Sequence, residues 1–86
     1  MFLPVYTNQF GKDIKLNKKR GKDLSKLKNV MSALLEGERL PDKNRDHKLV
    51  GNFSQCRECH IEPNWLLIYK VQGQEMFFVR TGRRSY

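Results

Sequence analysis

Acidic residues are scarce in this chain. Nine Asp and Glu stand against seventeen Lys and Arg over 86 residues, which leaves a formal net charge of +8 and a pI near 9.8. A cation excess of that size in so short a chain points to a polyanion, nucleic acid above all, or to an acidic protein partner. Long apolar runs are missing as well. None approaches the roughly 20 residues that cross a bilayer, so no membrane partner is expected. The opening MFLPVYTNQF has neither the basic start nor the long apolar centre of a signal peptide. A cytoplasmic location follows, and the two cysteines should stay reduced there. There are no internal repeats and no low-complexity tract, and no linker is long enough to divide the chain. Residues 1–86 therefore read as a single domain. So short a chain buries only about 60% of the surface its unfolded form exposes. Five Phe, three Tyr and one Trp nevertheless supply enough bulk to exclude wholesale disorder.

The pattern that is present divides in two. From Asp46 onward, the apolar segments CRECHI, WLLIYKV and EMFFVR are separated by Glu-Pro-Asn and Gln-Gly-Gln, the signature of a small antiparallel meander. Before it, Phe2 to Tyr6 reads as a short strand, with Pro4 suited to an edge. Thr7 or Asn8 can cap a helix that starts near Gln9 and ends at Gly21. Asp23 caps a second helix whose Leu24, Leu27, Val30, Met31, Leu34 and Leu35 form a broad apolar stripe, closed by Gly37. Residues 38–48 read as a polar loop. The expected fold is α+β, a helical hairpin laid over one face of the sheet.

Charge is uneven along the chain. Between Gly11 and Lys28 there are eight Lys or Arg and two acids, Asp13 and Asp23. Together with Arg80, Arg83 and Arg84 at the other end they make a candidate footprint for phosphates.

Cys56-Arg57-Glu58-Cys59-His60 matches C-x-x-C-H, the attachment motif of c-type haem. Haem attachment belongs to exported proteins with an enclosing apolar pocket, and neither condition fits this chain. Zinc held by His47, Cys56, Cys59 and His60 fails on strand alternation. Cys56, Glu58, His60 and Glu62 fall on one face, and Arg57, Cys59 and Ile61 on the other. Cys59 is then a small core residue beside Ile61, and no haem, metal or other cofactor is expected.

The same alternation leaves His60 on the open face of the sheet. His47 lies in the loop leading to it, Trp65 follows the Glu-Pro-Asn turn, and Arg80 closes the last apolar segment. Two imidazoles, an arginine and an exposed aromatic are the parts needed to cleave RNA without a metal. One group takes the proton of a ribose 2′-OH, another protonates the departing 5′ oxygen, and a fixed cation neutralises the phosphorane. The aromatic can stack a base.

The runs DHKLVG from Asp46, RECHIEPNWLLIY from Arg57 and RTG from Arg80 resemble the YafQ branch of the RelE/ParE toxin superfamily, in order and in spacing, and the likeness spans nearly the whole chain. The resemblance implies a β-α-α-β-β-β domain with an antiparallel sheet, the helices on one face and mRNA on the other. It implies a type II toxin that cuts mRNA in the ribosomal A site, neutralised by a cognate acidic antitoxin. His47 and His60 then match proton-transfer groups, Arg80 the arginine at the scissile phosphate, and Trp65 a substrate-lining position. Lys48 and Arg83 join Trp65 as substrate contacts.

Two positions depart from that pattern. The family's P-D-W is Pro63-Asn64-Trp65, so a neutral amide stands at a catalytic position. The usual R-T-G-x-H-S ending is RTGRRSY, so Arg84 replaces a catalytic histidine and Tyr86 stands for the terminal aromatic. An arginine can hold a phosphate but is a poor proton donor at neutral pH. A weakened enzyme, or a ribosome- and antitoxin-binding protein on the same fold, is the alternative. A gyrase-directed toxin of the ParE kind is disfavoured by the histidine pair.

Overall fold

A computed structural model describes residues 1–53 and 55–83, apart from the side chain of Asn52. In chain order the elements are β1 (Leu3–Tyr6), α1 (Asn8–Lys19), α2 (Leu24–Leu35), β2 (His47–Lys48), β3 (Arg57–Glu62), β4 (Trp65–Gln72) and β5 (Glu75–Gly82). This is the α+β succession expected from the sequence, with a two-residue β2 added inside the segment read as a loop and short 3-10 turns at Asp42–Asn44 and Gly51–Phe53 on either side of it.

The helix boundaries follow local chemistry. Thr7 Oγ1 accepts from Phe10 N at 3.0 Å, and Asp23 Oδ1 accepts from Ser25 N at 3.0 Å. Both helices end on a glycine in the left-handed region, Gly21 at φ 76 and Gly37 at φ 79. There Gly21 N and Lys22 N donate back to Lys18 O and Asn17 O, and Gly37 N and Glu38 N to Leu34 O and Ala33 O. Those bonds satisfy carbonyls that a helix end otherwise leaves open.

The sheet runs β1-β5-β4-β3-β2. Strands β3 to β5 form the expected antiparallel meander and β2 extends it, but β1 joins β5 in parallel, so the sheet is mixed. Nothing in a four-residue strand records its direction. Helix α1 packs on β5 and α2 on β3. Phe10, Leu27 and Leu34 from the helices meet Cys59, Trp65, Leu67, Tyr69, Met76 and Phe78 from the sheet in one core. Each large side chain buried there contributes about 1.5–3 kcal/mol. Leu66 and Ile68, on the opposite face of β4, are also about 1% exposed.

Strand β1 covers β5 only as far as Phe78. Beyond it the edge is closed by side chains from α1 and its cap. Thr7 Oγ1 donates to Val79 O at 2.9 Å, Asn17 Nδ2 donates to Thr81 O at 3.2 Å, and Thr81 N donates to Asp13 Oδ2 at 3.1 Å. An open strand edge is thereby removed without a further strand. Asp13→Ala takes away the acceptor for the Thr81 amide, and the expected loss is about 2–3 kcal/mol. In urea unfolding the midpoint should fall with the slope unchanged.

Candidate active site

Register brings the site together. His47 pairs with Glu58, Glu58 with Ile68, and Ile68 with Arg80, so a single rung crosses β2, β3, β4 and β5. The next rung is His60, Leu66 and Gly82. Paired residues share a face, and this one is opposite the helices.

Glu58 lies between the two histidines. Its Oε1 is 3.4 Å from His47 Nε2 and 3.9 Å from His60 Nε2, and its side chain is only 6% exposed. The imidazole centroids are 6.4 Å apart. Each ring is oriented from its other nitrogen: His47 Nδ1 donates to Arg45 O at 2.6 Å and His60 Nδ1 to Pro63 O at 3.3 Å. With Nδ1–H committed, Nε2 of both rings is left toward the carboxylate and the open face. The side chain of His47 is 47% exposed and that of His60 12%, so His47 is the ring more open to solvent. Glu58 is the member of this cluster that motif reading did not single out. The signal was available, because alternation puts Glu58 on the face of His60.

Arg80 shares the rung but starts three strands from His47, about 14 Å at ordinary strand spacing. Its guanidinium is anchored by Asp13, Nε to Oδ2 at 3.2 Å and Nη2 to Oδ1 at 3.3 Å. The histidines and the arginine therefore flank the Leu66–Ile68 strip of β4 from opposite sides.

Other candidate residues fall elsewhere. Trp65, expected as an exposed stacking platform, is fully buried. Its Nε1 donates to Thr81 Oγ1 at 3.0 Å, and Lys22 lies 5.7 Å above its ring. Trp65 shares the phase of Leu67 and Tyr69, so the alternation of β4 sends it into the core. Asn64 and Arg83 do not join the histidines. They line a basic cavity of about 390 Å³ with Asn17, Arg20 and Lys22, floored by Trp65. Lys48 is exposed, and its pairing with Arg57 turns it to the face opposite His47. Arg84 and Tyr86 lie outside the described residues.

The expected placement of Glu62 beside His60 also fails. A bulge shifts the register between His60 and Glu62, which reverses the side-chain phase. Glu62 instead meets Lys22 at 3.4 Å and Lys26 at 2.8 Å on the helix side. Cys59 is fully buried in the core, so it and His60 diverge as expected. Burial, then Asp46 and Glu58, push its thiol up from 9.0 to about 12.

The solved structures that superpose on this fold identify its class as the toxins of bacterial toxin-antitoxin pairs. The toxin in the crystal structure of the Escherichia coli DinJ-YafQ complex is 40% identical with a TM-score of 0.89, over 96% of this chain and 93% of that one. A copper-bound mutant toxin from Helicobacter pylori is 33% identical with a TM-score of 0.93, over 98% of this chain and 96% of that one. In sequence, the mRNA interferase toxin YafQ of Escherichia coli strain K12 is 44% identical over 81 residues, 93% of this chain and 88% of that protein. Residues 3–86 match the family described as bacterial toxin of type II toxin-antitoxin system, YafQ, and the chain belongs to it. The copper is a feature of the Helicobacter toxin. Among the described residues here, no group of three or more His, Cys, Asp or Glu is placed to hold a metal ion.

Two measurements check the burial assigned here. The Trp65 emission should be blue-shifted, resist iodide and stay unchanged when an oligoribonucleotide is added; quenching by the RNA would restore the stacking role. Cys59 should make stability depend on pH. Its folded pKa is raised, so its contribution is full below the ordinary value of 9.0 and is lost as pH rises toward about 12. Unfolding free energy should therefore decline between pH of about 9 and about 12, with a shallower decline in Cys59→Ala.

Proposed function

We propose that this toxin is an endoribonuclease that cuts mRNA in the A site of the translating ribosome, in the cytoplasm, and that a cognate acidic antitoxin silences it. The observation that carries this reading is the Glu58 carboxylate set between His47 and His60, on the same rung as the anchored Arg80. The net charge of +8 suits both rRNA and an acidic antitoxin. The antitoxin-bound state of the DinJ-YafQ relative supports the second partner.

In this mechanism one imidazole takes the proton of the ribose 2′-OH at its Nε2. The 2′ oxygen then attacks phosphorus, and the bond from phosphorus to the 5′ oxygen breaks. A protonated imidazole returns a proton to that oxygen, leaving a 2′,3′-cyclic phosphate. Arg80, held by Asp13, neutralises charge on the phosphorane. Glu58 stabilises whichever ring is cationic at that moment and keeps both Nε2 atoms on the reacting side. Substrate enters from the side of His47, the more exposed ring.

Arg84 motivates a second reading, a weak or silent enzyme that still binds the ribosome and antitoxin, since arginine is a poor proton donor. Purified protein and an Arg84→His variant, each added to translating ribosomes and read by primer extension, separate the two. Cleavage is expected from at least one of them, with a higher rate for Arg84→His. His47→Ala and His60→Ala should each lower the rate about 10²–10⁴-fold, and Glu58→Gln up to about 10²-fold. Intact mRNA with both the parent protein and Arg84→His rejects the nuclease reading.

A further inference from the structure

The strand that carries His47 is two residues long, too short for its pairing alone to hold a side chain in place. The residues just before it supply what the strand lacks. Arg45 is the one non-glycine residue with a positive φ among the described residues, at φ 49 and ψ 46. Such a conformation costs about 1–2 kcal/mol for a residue with a Cβ. In it, the Arg45 carbonyl accepts from His47 Nδ1 at 2.6 Å. Strain of this kind persists only where the surroundings enforce it.

Arg45 caps the short 3-10 turn Asp42–Asn44, its N donating to Asp42 O at 3.0 Å, and Asp46 ties that turn to the sheet. Both its carboxylate oxygens lie 2.8 Å from Tyr69 Oη, whose single proton they share. Oδ1 also accepts from Arg57 Nε at 3.0 Å. Tyr69 is a core residue on β4 and Arg57 stands on β3. The carboxylate thus ties the turn to the two central strands of the meander. Burial first, and then Asp46 itself, push the Tyr69 phenol upward, so it remains a donor at neutral pH.

We propose that Asp46 and Tyr69 are positioning residues for His47: their latch holds Arg45 left-handed, so that its carbonyl fixes His47 as the Nδ1–H tautomer with Nε2 aimed at Glu58 and the open face. The inference rests on reading His47 as a proton-transfer group, but its structural half stands apart from catalysis. Among the described residues, the ionisable groups that meet the ring are Glu58, 3.4 Å from Nε2, and His60, with its centroid 6.4 Å away. Neither contacts Nδ1; Glu58, an acceptor at Nε2, favours a proton there, so it is the shorter contact to the Arg45 carbonyl that keeps the proton of the neutral ring on Nδ1.

Tyr69→Phe removes one hydroxyl and keeps the ring in the core, and Asp46→Asn removes the charge at nearly constant size. Nitrogen-detected NMR of the neutral His47 ring should show one tautomer, with the proton on Nδ1, in the parent protein. A mixture is expected in both variants. In the ribosome cleavage assay each variant should lose about 10–10²-fold in kcat with KM little changed, the scale of a misplaced catalytic group. The double variant should be no worse than the poorer single, because both act through one network. If Tyr69→Phe keeps the parent tautomer, or keeps the parent kcat while only its stability falls, the positioning role is overturned. Should neither the parent protein nor Arg84→His cleave while the tautomer still depends on the latch, the nuclease reading fails and the latch stands.

Discussion

The register of β4 against its two neighbours is the constraint on which everything else depends. Its side chains alternate between two buried destinations. Trp65, Leu67 and Tyr69 enter the core beneath the helices, while Leu66 and Ile68 floor the opposite face. Pairing of Ile68 with Glu58 on one side and Arg80 on the other sets both residues on that face, from which the Arg80 guanidinium reaches Asp13 of α1 at the sheet edge. A slip of one residue would exchange the two sets and place charge in the core. The hydrophobic contrast between the faces therefore fixes the geometry of the polar site.

The few acids are spent where cations must be held still. Asp13 anchors Arg80, Glu58 sits between His47 and His60, and Asp46 binds Arg57 and Tyr69 beside His47. Glu62 gathers Lys22 and Lys26 at the mouth of the helical hairpin. With so many carboxylates engaged in orientation, the exposed lysines and arginines are left largely unneutralised. One distribution of charge thus gives a rigid site and a surface that attracts polyanions from a distance. Asp13 also closes the exposed end of β5, so the residue that positions Arg80 is the one that completes the sheet edge.

Much of the fold was legible because its causes are local. Thr7 and Asp23 cap, Gly21 and Gly37 terminate, and the leucine stripe of the second helix repeats at helical spacing. The histidine pair and Arg80 were legible from motif and order. The readings that failed share a cause, which is pairing between distant segments. The two-residue β2 has no pattern of its own, and the parallel docking of β1 leaves no mark on its residues. The bulge after His60 inverted Glu62, because a single inserted residue reverses a period of two. Trp65 was misplaced although its phase with Leu67 and Tyr69 was visible, since an aromatic beside a site suggests stacking before it suggests core.

By itself, then, the sequence determined the α+β succession, the helix ends, the basic character and the residues able to move protons. Those follow from short-range sterics, capping and ionisation, which act within a few positions of the chain. Only the tertiary structure decided that Glu58 joins the histidines, that Asp46 reaches Tyr69, that Asp13 holds Arg80 across 67 positions, and that Trp65 faces inward. Those contacts depend on strand register and on the path of the helices over the sheet, and both are settled by burying the whole core at once.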